Sequence, residues 1–275
     1  MMHASGVHQG PTSHVRAALF LWRFFWRSCM ANQQIYGRHP VLEALRSGSK
    51  VRVIYLAEGQ KQKGVIAEII TIAKQGGIGI KWVSRHRLAR LVEANANHQG
   101  VVAEIAPFRY STVETILMRA KQRQQPPFLL LLDGIQDTHN FGALLRTAYA
   151  AGMHGVIIPQ RRAASVTPTV YKSSAGAVNY LPIAQVTNLT RTIKQLQTEN
   201  IWMVGLEMAG EQLYHQANLK GPLGIVVGAE GKGLSRLVAE NCDFLVQLPM
   251  KGRVESLNAS VAGAILIYEA LRQRG

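Results

Sequence analysis

The residues best able to do chemistry lie in three short segments of the second half of the chain. The first, at 133–153, holds Arg146, the only charged residue between Asp137 and Arg161 when histidine is counted as neutral. A helix predicted over 141–151 has a buried stripe formed by Phe141, Leu144, Leu145 and Ala148. Arg146 does not belong to that stripe. It is therefore either an ordinary surface arginine or a guanidinium that binds a phosphate or a ribose oxygen.

The second segment, at 224–237, has the sequence GIVVGAEGKGLSRL, which predicts a strand, a glycine loop and a helix. Glycines let a ligand approach the backbone closely, and a helix start offers free N–H groups. The loop is not a Walker phosphate loop, because Gly233 follows the Gly-Lys pair, and it lacks the third glycine of a Rossmann fingerprint. Glu230 lies among these glycines, and it either has a structural role only or belongs to a binding or catalytic site.

The third segment, at 248–271, places Ser256 and Asn258 just before a predicted helix at about 258–273. Either residue could simply cap that helix. The helix is apolar nearly all round, so it should be buried in a core or in a subunit interface.

The elements that would position these residues follow an α/β pattern in two parts. Residues 32–107 alternate strands and helices and predict a small α/β domain. Residues 108–126 predict a linker with one helical stretch, because the polar run KQRQQPP ends in two prolines. Residues 127–275 begin with FLLLLDG, which predicts a strand buried on both faces of a parallel sheet. The strands and helices that follow predict a second α/β domain with that sheet at its centre.

The charge of the chain indicates a polyanionic partner. The chain has 275 residues, with 31 lysines and arginines against 16 acidic residues. Residues 1–107 hold 14 basic and 5 acidic residues, whereas 126–275 hold 13 and 10, so the first part is the better candidate for binding phosphates. Its candidate phosphate contacts are Arg38, Arg52, Arg85, Arg87 and Arg90.

The remaining composition argues against a secreted or membrane-spanning protein. Two cysteines indicate neither a disulfide framework nor a metal site and fit a reducing cytoplasm. The apolar segment 17–26 is interrupted by Arg23 and is shorter than the roughly 20 residues of a membrane span. We expect residues 1–31 to be a disordered or non-native leader, because Met30 opens a second plausible start.

The three segments, taken in order, carry N-F-G-x-x-x-R, G-A-E-G-x-G and S-L-N-x-S. This ordered set resembles the motifs of the SpoU (TrmH) branch of the SPOUT RNA methyltransferases. The stretch Y-G-R-H-P-V-L-E-A-L near the start resembles the substrate-binding domain of the RlmB-type 23S rRNA guanosine 2′-O-methyltransferases. The resemblance covers roughly residues 33–274.

The resemblance implies a trefoil knot near the C-terminus of a parallel-sheet SPOUT domain, S-adenosylmethionine as methyl donor, no metal, and a cytoplasmic homodimer. It implies 23S ribosomal RNA as the partner. The alternatives are a transfer RNA methyltransferase of the same branch and a non-catalytic assembly factor that binds ribosomal RNA. By position, the implied catalytic residues are Asn140, Arg146, Glu230, Ser256 and Asn258. The implied cofactor-binding residues are Gly228, Leu248 and Leu257.

Overall fold

The first domain is a four-stranded sheet with helices on both faces. The computed structural model describes residues 33–93, 96–253 and 256–275, so the predicted leader lies outside the described residues. The strands lie in the order β1-β4-β2-β3, and only β2 and β3 are parallel neighbours. The elements are β1 (Gln33–Tyr36), α1 (Arg38–Arg46), β2 (Val51–Ala57), α2 (Val65–Gln75), β3 (Gly79–Val83), α3 (Arg85–Ala89) and β4 (Val101–Ile105).

Apolar periodicity explains how these elements pack. Helix α2 buries Ile66, Ile69 and Ala73 at helical spacing against the same core as Ile54 of β2. Helix α3 covers part of the other face and inserts only Leu88. Its remaining residues face solvent, so this short helix is basic on its outer side.

Residues 108–126, predicted as a linker, contain helix α4 (Val113–Gln122), which packs on the second sheet. Ile116 of α4 is buried against Gly155, where an added Cβ would lie 2.5–2.7 Å from the Ile116 side chain. Ser111 also bridges to Ala184 in that sheet. The polar run that suggested a linker forms only the end of α4 and the turn after it.

The second domain is built on seven strands, every neighbouring pair of which is parallel, in the order β7-β6-β5-β10-β8-β11-β9. The predicted α/β fold with a parallel sheet is confirmed. Its elements are β5 (Phe128–Asp133), α5 (Thr138–Ala150), β6 (Gly155–Pro159), α6 (Pro168–Ser173), a short 3-10 turn (Ala177–Asn179), β7 (Ile183–Val186), α7 (Leu189–Thr198), β8 (Trp202–Leu206), β9 (Gln212–Leu213), β10 (Leu223–Gly228), α8 (Arg236–Ala239), β11 (Phe244–Gln247) and α9 (Ala259–Arg274).

The two domains share one hydrophobic core. A single cluster of buried side chains includes Ile35 and Val41 of the first domain and Val170 and Val178 of the second. Hydrogen bonds cross the same seam: the Gln33 side chain donates to the carbonyl of Val166 (2.9 Å). Domain docking is therefore part of the fold.

Helix α9 packs back onto the centre of the second domain. An added Cβ at Gly263 would lie 2.7 Å from Leu144 of α5 and 3.3 Å from Val227 of β10, so this glycine lets the helix approach closely. The helix is not buried all round, because Val261 and Tyr268 are 48% and 50% exposed. None of the helices in the described ranges has the length and apolar character of a bilayer span. The trefoil knot and the homodimer stay predictions.

Candidate active site

The candidate site lies where four parallel strands end. Asp133 of β5 and Gly228 of β10 are register partners, and Glu207 follows directly after β8, the other neighbour of β10. Gln247 ends β11, next along the sheet. Crevices at the carboxyl ends of parallel strands are the usual ligand sites of such sheets.

Three of the predicted catalytic residues form one hydrogen-bonded cluster beside this edge. The Asn140 amide Nδ2 donates to Glu230 Oε2 at 3.1 Å. The Asn258 Nδ2 donates to Asn140 Oδ1 at 2.9 Å and to the same Glu230 oxygen at 3.3 Å. The cluster joins residues from all three sequence motifs, and the two amides fix the orientation of one carboxylate.

Helix capping holds both asparagines in place. Asp137 caps α5, and its Oδ1 accepts from the backbone N–H of Asn140 at 2.7 Å. The Oδ1 of Asn258 caps α9 by accepting from the N–H groups of Ser260 (3.0 Å) and Val261 (3.4 Å). Asn258 therefore has two roles at once: its oxygen caps the helix and its nitrogen holds the cluster together.

A cavity of about 360 Å³ opens next to the cluster. Its volume lies within the usual range for small-molecule pockets. Its wall includes all three predicted cofactor-binding residues and two predicted catalytic ones. The lining residues are Leu206, Glu207, Met208, Val227, Gly228, Ala229, Glu230, Gly231, Gly233, Gln247, Leu248, Met250, Ser256, Leu257, Ala259 and Ala262.

The glycine loop forms one side of this cavity. Ala229 and Gly233 exchange backbone hydrogen bonds of 3.0 and 2.9 Å, which close the loop tightly. A Cβ at Gly228 would overlap the backbone of Gly233, so this glycine is required for the loop to fold back. Within the described part of the chain, the N–H groups of Glu230 and Gly231 donate to no protein group, which leaves them free for a ligand.

Sequence reasoning missed Glu207, a cavity residue. Its Oε2 accepts from the N–H of Leu234 at 3.0 Å and its Oε1 from the N–H of Met208, also at 3.0 Å. The carboxylate therefore ties the glycine loop to the end of β8. Its position at the end of an apolar run that predicts a strand is the sequence feature that could have identified Glu207 as a site residue.

Arg146 lies apart from the cluster. It occupies α5 six residues after Asn140, is exposed, and makes no hydrogen bond or ion pair with any residue the structure describes. It is also absent from the cavity wall. The structure thus brings Asn140, Glu230 and Asn258 together, places Ser256 beside them at the cavity, and leaves Arg146 free on the neighbouring surface.

Comparison with known proteins identifies the class. Residues 127–268 match the model of the SpoU rRNA Methylase family, and residues 34–111 match the model named RNA 2′-O ribose methyltransferase substrate binding. The chain belongs to the SpoU family of RNA methyltransferases, as its three motifs predict.

A relative and two solved structures cover nearly the whole chain. A Bacillus subtilis protein named as a putative TrmH family tRNA/rRNA methyltransferase is 42% identical over 247 residues, which cover 89% of this chain and 98% of that one. A crystal structure of an RNA 2′-O ribose methyltransferase matches with a TM-score of 0.73 at 25% identity over 95% of this chain and 96% of that one. The AdoMet-bound rRNA methyltransferase from Sinorhizobium meliloti matches with a TM-score of 0.70, also at 25% identity, over 88% and 87% of the two chains.

Proposed function

We propose that this protein transfers a methyl group from S-adenosylmethionine to the 2′-oxygen of a ribose, that of a guanosine in 23S ribosomal RNA. The observation that carries the proposal is the cluster of Asn140, Glu230 and Asn258 at the mouth of the cavity. It combines a fixed carboxylate with an adjacent pocket large enough for a nucleoside-sized donor.

The cavity suits S-adenosylmethionine in size and in lining. Leu248, Leu257 and Leu206 supply apolar walls, and the free N–H groups of Glu230 and Gly231 supply donors. We assign Gly228, Leu248 and Leu257 as cofactor contacts. When bound, the sulfonium of the donor supplies an electrophilic methyl group, so the protein must align the ribose oxygen with it and accept a proton.

We assign Glu230 as the group that accepts the proton of the ribose 2′-hydroxyl. Its Oε2 accepts both asparagine amides, whereas its Oε1 accepts no hydrogen bond from the described residues. The free oxygen can take the proton of a 2′-hydroxyl while Asn140 and Asn258 prevent the carboxylate from turning away. Ser256, at the cavity rim, helps to shape the place where the ribose enters.

Arg146 is assigned as a clamp on the target phosphate and 2′-oxygen. A guanidinium stays protonated at neutral pH, so it binds anions well and removes protons poorly. The exposure of Arg146 and its lack of a partner in the described ranges leave its donors available to RNA.

Mapping of 2′-O-methyl groups in cellular RNA, with and without this gene, tests the function. We expect one position in 23S ribosomal RNA to lose its methyl group and to regain it with the wild-type gene but not with Glu230→Gln. Loss at a transfer RNA position would instead establish the alternative substrate. If no position changes and the purified protein binds no S-adenosylmethionine, the protein is an RNA-binding assembly factor.

A further inference from the structure

Lys172 lies at the seam between the two domains, on the helix that packs against the start of α5. It is the penultimate residue of α6, and its Nζ lies 5.7 Å from the ring centroid of Tyr36 in the first domain. The next residue, Ser173, donates to the carbonyl of Thr138 in the first turn of α5 at 3.1 Å. That turn carries Asn140, so α6 joins the start of the helix that holds Asn140 to the sheet of the first domain.

The position of Lys172 is fixed by close packing. A Cβ at Gly142 of α5 would overlap Ser173, so α6 lies as near to α5 as the backbones allow. On the first-domain side, a Cβ at Gly176 would overlap the side chain of Glu43, and Tyr180 donates to the Glu43 carboxylate at 2.8 Å.

A row of side chains continues from Lys172 across the first sheet. Tyr36, Val102, Tyr55 and Lys81 are successive register partners on β1, β4, β2 and β3, so they share one face. Three strand spacings of about 4.8 Å make this row about 14 Å long. Lys81 Nζ lies 5.9 Å from the Tyr55 ring centroid, so a lysine stands over a tyrosine at both ends.

Helix α3 adds arginines along the same face. Its one buried residue, Leu88, packs in one cluster with Tyr36 and Val102. Arg85, Arg87 and Arg90 are all exposed. Neither these arginines nor Lys81 and Lys172 form an ion pair with any residue in the described ranges.

We propose that the RNA strand leading to the target nucleotide crosses the domain seam at Lys172 and continues over α3. Lys172 binds a phosphate next along the strand from the one that Arg146 clamps, and Arg85 and Arg87 bind phosphates farther away. This inference rests on the proposed function and adds to it a direction for the RNA. Cations without an ion-pair partner in the described ranges follow one face and end on α6, which packs against the helix that carries Asn140. This arrangement matches a polyanion that must present one ribose at the catalytic cluster.

The first test measures binding of transcribed, unmodified 23S ribosomal RNA to the full-length chain over a series of KCl concentrations. Losing one phosphate contact should lower the slope of log affinity against log salt by about 0.7 to 0.9. We expect this change for Lys172→Ala and its restoration in Lys172→Arg. The matched control is Lys194→Ala, an exposed lysine on α7, which should keep the wild-type slope.

The alternative is that Lys172 only docks the domains through Tyr36. In that case Lys172→Ala would lower the melting temperature and leave the salt slope at the wild-type value, which overturns the proposal. A wild-type protein that binds no 23S ribosomal RNA also overturns it. If RNA binding depends on Lys172 but the protein transfers no methyl group to that RNA, only the proposed function is refuted.

The second test determines the direction in which the RNA strand runs across the protein. A photo-crosslinking benzoylphenylalanine at position 172 should react with nucleotides closer to the methylated ribose than the same group at position 87 does. The reverse order, or crosslinks from position 87 alone, would contradict the assigned path.

Discussion

Asn258 offers the sharpest test of the site, because one side chain caps a helix and also bridges the catalytic cluster. Its Oδ1 accepts from the N–H groups at the start of α9, and its Nδ2 donates to Asn140 and Glu230. Asn258→Ala removes both roles. Asn258→Ser keeps an oxygen that can cap the helix and removes the nitrogen that holds the carboxylate.

The two variants should therefore separate stability from rate. Loss of an N-cap costs about 1 kcal/mol, so Asn258→Ala should melt roughly 2 to 4 °C below the wild type, whereas Asn258→Ser should melt close to it. A hydrogen bond to a charged group contributes about 1.5 to 3 kcal/mol. If this bond orients Glu230 in the transition state, both variants should lose roughly 10- to 100-fold in kcat.

The assays are thermal unfolding, for stability, and transfer of a tritiated methyl group to RNA at saturating donor, for kcat. Titration with S-adenosylmethionine checks that the cavity is intact, because Asn258 itself does not line it. The reasoning fails if Asn258→Ser keeps more than half of the wild-type rate, or if it is as unstable as Asn258→Ala.

Three further predictions concern single residues. Arg146→Ala should abolish nearly all methyl transfer while donor binding persists, and a variant with half the wild-type rate would refute the clamp role. Gly142→Ala should destabilise the fold by about 1 to 3 kcal/mol in urea, because its Cβ would overlap Ser173; unchanged stability would mean that α6 shifts freely. His154 is buried and its Nδ1 accepts the N–H of Phe128 at 3.1 Å; burial lowers its pKa from 6.5 to about 4. The folded protein then binds fewer protons than the unfolded chain, so stability is complete above about pH 6.5 and should fall by about 2 kcal/mol at about pH 5, a loss that His154→Gln should reduce.

The sequence predicted those helices and strands whose apolar pattern can be recognised within a short stretch of the chain. The continuous apolar run at β5 identified a strand covered on both faces, and the apolar run before the glycine loop identified β10. The two strands are neighbours at the centre of the second sheet. Strands β1 and β9 were missed because they are short and carry glutamines, and only pairing with distant strands makes them extended.

The site was predictable as a set of motifs but not as a geometry. Glu230 stood out among glycines and Asn258 before a predicted helix, Asn140 was implied by the family resemblance, and the fold alone brings the three together. Glu207 was missed because its partner in the glycine loop, Leu234, contacts it only once the loop folds back. Lys172 was not among the predicted site residues, since its neighbour Tyr36 is distant in sequence.

The core shared by the two domains has a consequence for synthesis of the chain. The first domain leaves the ribosome early, yet its Ile35 and Val41 belong to the same core cluster as Val170 and Val178 of the second domain. Gln33 and Val166, which bond across the seam, are separated by 133 positions. At about 5 to 20 residues per second, roughly 7 to 27 seconds pass between them. During that interval the apolar face of β1 against which α6 later packs is exposed to solvent.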